Sequence, residues 1–166
     1  MVEIIGTKGN IQNIDRFVQH ILELAEKYSI TIQTLDADVI YGKDHLVSAV
    51  QHAKRAFEQG KNATNSLAME ILLYASGERQ IQKSIQKVGV KKGQRNIALV
   101  FDGKLSDDII ETILKTLDIS RDDKVLEGNI DTLKKFGLTQ REIETVPESH
   151  YGHLILERIA MVDVIK

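Results

Sequence analysis

The sequence predicts an α+β fold: a small mixed β-sheet covered by several helices, with a helical middle segment. Three observations predict it. Short β-branched runs stand near the start, around residue 33 and near residue 99. Between them, apolar residues recur at three- and four-residue spacing. The elements are separated by turn residues rather than by linkers, with a single proline, Pro147, and no low-complexity stretch, so residues 1–166 are expected to form one domain.

Val2 to Ile5 reads as a short strand ending at Gly6. Ile14, Phe17, Val18, Ile21, Leu22 and Ala25 then keep helical spacing, with Asn13 placed as N-cap. Ile30 to Leu35 alternates as a half-buried strand does. After Val39-Ile40-Tyr41-Gly42, a second helix carries the stripe Leu46, Ala49, Val50, Ala53 and Phe57, with Gly60 suited to the position just past its end. A third helix spans about Asn65 to Ser76 and is apolar nearly all round, which marks a helix at the centre of a core or an interface. Gly77 interrupts it, and a fourth helix follows from Glu78 to about Val88.

Ile97 to Phe101, continuously apolar, reads as an interior strand. Ser106 is placed to cap a helix carrying Ile109, Ile110, Ile113, Leu114 and Leu117. Another helix runs from about Asn129 to Phe136 and stops at Gly137, with a short helical turn from Thr139. Leu154 to Ile165 reads as a long C-terminal strand. The sheet is expected in mixed rather than purely parallel order.

Composition narrows the function classes. An apolar fraction of 42% and a charged fraction of 28% are those of a globular protein with a core. The chain has no cysteine, so disulfides, thiolate metal sites and a cysteine nucleophile are excluded. Neither a signal-peptide pattern nor a membrane-length apolar run is present, and a cytoplasmic protein is expected. The net charge of −2 conceals a basic middle: residues 43–95 carry ten Lys or Arg against four Asp or Glu, between two acidic ends. Such asymmetry points to a polyanionic or acidic partner for the middle segment.

Within that segment Arg79, Lys83 and Lys87 are four residues apart and would line one helix face, which Lys91, Lys92 and Arg95 extend. Glu70 and Tyr74 sit one turn apart in the apolar third helix. A buried carboxylate needs a partner, and Arg79, just past the Ser76-Gly77 break, is the one expected. Gly42-Lys43 lacks the glycine-rich loop of a phosphate-binding P-loop. His45 and His52 are too far apart to share a metal, while His150 and His153 lack a third ligand; no metal and no cofactor are expected. A stand-alone hydrolase-like enzyme would have only His150, His153, Asp36 and Glu70 to work with.

The stretch from Gly42 to Lys91, and in it "NATNS", "EILLYASGERQI" and "VGVK", resembles the signature of the kinase-associated subunit of the KEOPS complex, the PRPK-binding protein family, in an archaeal-like form. The closing "LILERIAMVDV" is similar as well, and the strongest likeness covers about residues 36–92. The resemblance implies a non-catalytic subunit that binds a small atypical protein kinase. Through that kinase it would meet the catalytic subunit that installs threonylcarbamoyl-adenosine on tRNA, and it would itself hold the tRNA by its 3′ CCA end. On this reading Lys43, Asn62, Asn65, Arg79, Lys83, Lys87, Lys91 and Lys92 are the expected RNA contacts. Leu73, Tyr74 and Ile81 are the expected kinase contacts, and Glu70, Ser76 and Gly77 shape the joint between the two helices. A kinase adaptor that does not touch RNA is the alternative.

Overall fold

The computed structural model describes residues 1–166. Four strands, β1 (Val2–Ile11), β2 (Thr31–Asp36), β3 (Gly93–Asp102) and β4 (Ile119–Arg121), form one sheet in the order β2-β3-β1-β4. Every neighbouring pair is antiparallel. The expected mixed order is therefore corrected. β1 and β2 do run the same way, but β3 lies between them, so no two parallel strands touch. The result is two interleaved split β-α-β units. One is β1, helix α1 (Ile14–Tyr28) and β2; the other is β3, helix α5 (Asp107–Leu117) and β4.

The sheet is buried on both faces. Ile5, Ile32, Ile97, Leu99 and Phe101 meet Phe17, Ile21 and Leu24 of α1 and Ile110, Ile113 and Leu117 of α5. On the opposite face Ile4, Leu35, Ala98 and Val100 meet a second helical layer. That layer holds α2 (Gly42–Glu58), α3 (Leu67–Ser76), α4 (Ile81–Val88), α6 (Ile130–Phe136), α7 (Gln140–Ile143) and α8 (Tyr151–Ile165). The unbroken apolar run in β3 follows, because both of its faces and both of its edges are covered.

Helix ends obey the local chemistry expected of them. Asn13, Ser106, Asn129 and Thr139 accept amides of the first turns of α1, α5, α6 and α7. Gly60 has φ +67° just past the end of α2. Gly77 closes α3 at φ +70°, a conformation that costs an ordinary residue about 1 kcal/mol or more. Gly6 does not end β1 as expected; it lies inside the strand, as does Gly9. A Cβ on Gly6 would sit 2.6 Å from the Asp122 carbonyl oxygen, and one on Gly9 would sit 2.4 Å from Ile119 Cγ2. Both positions are bare because the chain around β4 passes directly over them.

The expected C-terminal strand is also corrected: residues 151–165 are helix α8. Ile155, Ile159 and Val162, the buried residues, are spaced four and three apart, which is helical. Leu154 and Leu156 are half-buried on either side of Ile155, so the pattern carries little amphipathic contrast. α8 packs chiefly along α2, with further contacts to α3 and α6. The third and fourth helices begin later than expected, at Leu67 and Ile81, with Ser66 and Gln80 as caps.

His45 is buried on α2 and connects layers: its Nδ1 accepts the Tyr41 amide at 3.0 Å, and its Nε2 lies 2.8 Å from the Ala75 carbonyl oxygen. That geometry requires the neutral ring with the proton on Nε2. Burial, with a further push from the Lys87 charge, lowers its pKa to about 4 despite the hydrogen bond to Ala75. A histidine whose folded pKa lies below its unfolded value stabilises the fold fully above about pH 6.5 and loses that contribution as the pH falls towards about 4. The unfolding free energy should therefore fall by an amount on the order of 2–3 kcal/mol between pH 7 and pH 4.5 from this residue, as read from denaturation curves. His45→Gln, which offers the same acceptor and donor without titrating, should flatten the slope between pH 6.5 and 5.

Candidate partner and nucleic-acid interfaces

Glu70 is the one carboxylate with no solvent exposure at all. It projects from the first turn of α3 under the loop joining α2 to α3. Both of its oxygens accept the Ala63 amide at 3.1 Å, and Oε1 also accepts the Thr64 amide at 2.9 Å. The Thr64 hydroxyl lies 2.7 Å from the same oxygen. Lys166 completes the shell, its Nζ 2.8 Å from Oε2 with the side chain only 8% exposed. Burial alone would push the Glu70 carboxyl up, but Lys166, Thr64 and the two amides together hold it below the usual carboxylate range. Arg79, the expected partner, is exposed in the turn before α4 and forms no ion pair. The correction has a simple reason: the turn at Gly77 carries Arg79 away, and α8 brings Lys166 in from the far end of the chain.

A second set of contacts fastens α8 beside this clamp. Lys166 Nζ stands 4.5 Å from the centre of the Tyr74 ring. The Tyr74 hydroxyl donates to Asp163, and His52 Nδ1 lies 2.8 Å from the other Asp163 oxygen. His52 stacks on Tyr74 at 5.4 Å. Burial, then the bond to Asp163, drives the Tyr74 phenol well above its usual range. Asp163 is held low by its two donors against a desolvation effect of opposite sign.

Over this base lies a cleft of about 450 Å³ lined by Arg55, Gln59, Lys61, Asn62, Asp163 and Lys166 among others. Arg55 and Lys61 are exposed and have no acidic partner within 4 Å. Asn62 and Asn65 are exposed on the same loop, and Asn62 Nδ2 donates to the Thr64 carbonyl at 2.8 Å. The clamp thus sets the loop from below while its cations and amides face outward.

The other expected RNA contacts are dispersed. Lys43 lines a different cleft of about 480 Å³, with Tyr41, Glu148 and His153. Lys83 and Lys92 are exposed, like Arg79. Arg79 precedes α4 rather than belonging to it, so the expected three-residue helical stripe is reduced to Lys83 and Lys87. Lys87 is occupied: its Nζ lies 3.6 Å from Glu78 and 3.8 Å from the centre of the Phe136 ring. Burial lowers its pKa, with Glu78 acting in the opposite direction. Lys91 donates to the Gly89 carbonyl at 2.6 Å. At the joint between α3 and α4 the Ser76 hydroxyl meets that of Ser84 at 2.7 Å and accepts the Glu78 amide at 3.1 Å.

Leu73 and Tyr74, expected at a kinase interface, are fully buried and offer no side-chain surface, while Ile81 is half-buried. The apolar surface that is open lies elsewhere. Ile14 and Val18 of α1, Met69 and Leu72 of α3, Ile85 of α4 and Val90 line a groove of about 180 Å³. Ile14, Val18 and Ile85 are exposed large apolar side chains, at 37%, 41% and 41%. Met69 and Leu72 lie three residues apart, Glu70 and Tyr74 four, and the two pairs fall on different sides of α3. α3 therefore backs the apolar groove on one side and the cationic cleft on the other. Sequence reading overlooked Arg55, Lys61, Asp163 and Lys166 because their grouping depends on α8 lying along α2, which a strand would not do. The i, i+4, i+7 spacing of Ile155, Ile159 and Val162 was the available signal.

Contact area and charge are what these two surfaces supply, which is the equipment of an adaptor that holds partners. Comparison with known proteins agrees. The family profile described as kinase binding protein CGI-121 matches residues 9–163, and the chain belongs to that family. The Regulatory protein Cgi121 of Methanocaldococcus jannaschii is 32% identical over 140 residues, which cover 82% of this chain and 86% of the relative. The likeness thus reaches well beyond residues 36–92.

Breaking a buried ion pair from one side leaves a desolvated charge, at a cost of about 3 kcal/mol or more. Lys166→Met should lower the urea-denaturation stability by about that much. Arg55→Ala and Lys61→Ala, on the solvent side of the same cleft, should each stay within about 0.5 kcal/mol of the parent. Equal effects at all three positions would contradict the division into clamp and outer surface.

Proposed function

We propose that this chain is the non-catalytic, kinase-binding subunit of a cytoplasmic KEOPS complex that recruits tRNA by its 3′ CCA end. The observation that carries the reading is family membership joined to the run "EILLYASGERQI", whose Glu70 and Tyr74 organise the cleft. The relative's name, a regulatory protein, supports the same division of labour. The kinase partner would seat on the groove of Ile14, Val18 and Ile85, where apolar side chains stand exposed without a covering element. Burying them adds roughly 25 cal/mol per Å² of apolar surface. The kinase in turn would connect this subunit to the catalytic threonylcarbamoyl-transferase subunit. An unpaired RNA end needs cations for its phosphates and amide groups for its base edges, and the cleft supplies Arg55, Lys61, Gln59 and Asn62.

Two measurements test the two halves separately. The pair Val18→Asp and Ile85→Asp, both at exposed positions, should weaken kinase binding at least ten-fold while leaving the melting temperature close to that of the parent. Undiminished binding would remove the groove from the interface. Titration with intact tRNA and with tRNA lacking CCA, at two salt concentrations, should show binding that depends on CCA and weakens with salt. Equal or absent binding of the two RNAs would leave a kinase adaptor that does not touch RNA.

A further inference from the structure

We propose that Glu70 is a positioning residue for the RNA cleft: without touching RNA, it fixes loop 61–66 so that Lys61 and Asn62 converge with Arg55 on a phosphodiester. The inference rests on the reading of the cleft as an RNA site. Its starting point is that the loop is held by its backbone. Lys61, Asn62 and Asn65 face solvent, while the amides of Ala63 and Thr64 turn inward to Glu70.

A carboxylate in this setting is costly unless every lone pair is used, and here they are used on one short loop and one lysine. A loop whose cationic side chains must act together loses less entropy on binding when its backbone is already ordered. Glu70 supplies that order from the α3 side. Lys166 supplies the matching charge from α8, whose end is also fixed through Asp163 to Tyr74 and His52. Three helices therefore meet beneath six loop residues. Glu70 is not the cap of α3: Ser66 holds that position and accepts the Met69 amide at 3.2 Å, while the amides that Glu70 accepts belong to the loop.

The test uses the full-length protein, a tRNA ending in CCA, and three substitutions. Glu70→Gln keeps the shape but removes the charge and the two-oxygen acceptance. Thr64→Val removes the hydroxyl, and with it the bonds to Glu70 and to the Ser66 carbonyl oxygen, and serves if Glu70→Gln folds poorly. Arg55→Glu with Lys61→Glu reverses the outer charges and reports on the cleft itself. Glu70→Gln should accelerate amide exchange at Ala63 and Thr64 and weaken tRNA binding at least ten-fold, and Thr64→Val should do so to a smaller degree. Kinase binding should be unchanged in both.

The salt dependence separates positioning from mere loss of folded protein. Losing phosphate contacts makes log Kd less steep in log salt, by roughly 0.7 per contact for a single strand. A smaller folded fraction shifts the curve without changing its slope. Faster exchange with tRNA affinity and salt slope intact would overturn the proposal, as would unchanged exchange at Ala63 and Thr64. If the Arg55 and Lys61 reversal leaves tRNA binding untouched, the cleft reading fails and this inference falls with it, a result distinct from an intact cleft that ignores Glu70.

Discussion

A fully buried carboxylate in the first turn of the protein's most apolar helix is the constraint around which this structure is arranged. Glu70 cannot be left charged and unpaired in such a place, and protonating it would forfeit the ion pair with Lys166, whose own charge would then be left without a partner. The solution draws on distant parts of the chain. Loop 61–66 turns its amides inward, α8 runs along α2 until Lys166 reaches the carboxylate, and Tyr74 one turn further along α3 anchors α8 through Asp163. Without the carboxylate the amides of Ala63 and Thr64 would lose the acceptor they share.

α3 consequently does more than fill the core. Met69 and Leu72 contribute to the floor of an open apolar groove, while Glu70 and Tyr74 underlie a cationic cleft. Leu73 and Ile71 are fully buried between them. A helix apolar on nearly every side is what such a position demands, since each side meets packed neighbours or a binding surface. The turn at Gly77 then redirects the chain, and the Ser76–Ser84 contact ties α4 back against α3. Residues that resemble a linear signature thus act as one mechanical unit.

The charge asymmetry along the chain translates only partly into surface. Of the ten cations between residues 43 and 95, Lys87 is spent on Glu78 and the Phe136 ring, Lys54 on Asp102, and Lys91 on a backbone carbonyl. Those left for a polyanion are distributed over several places, with Arg55 and Lys61 alone sharing the cleft with a clamped loop. Sequence spacing gave Arg79, Lys83 and Lys87 one helix face, but that argument assumed a helix beginning at Glu78. Gln80 as the cap moves Arg79 off it.

Local chemistry was legible in the sequence: the caps at Asn13 and Ser106, the stops at Gly77 and Gly137, the interior strand at Ile97–Phe101 and the α+β class all follow from short-range rules of spacing and hydrogen bonding. The family signature was legible too, because it is written in consecutive residues. What the sequence could not decide was anything fixed by partners far along the chain. Gly6 read as a stop because the segment that crosses it lies more than a hundred residues away. Leu154–Ile165 read as a strand because a helix packed on several sides leaves little periodic contrast. Glu70 announced that it needed a cation, and only the tertiary structure chose Lys166, 96 residues on, since a buried charge takes whichever partner the packing delivers to it.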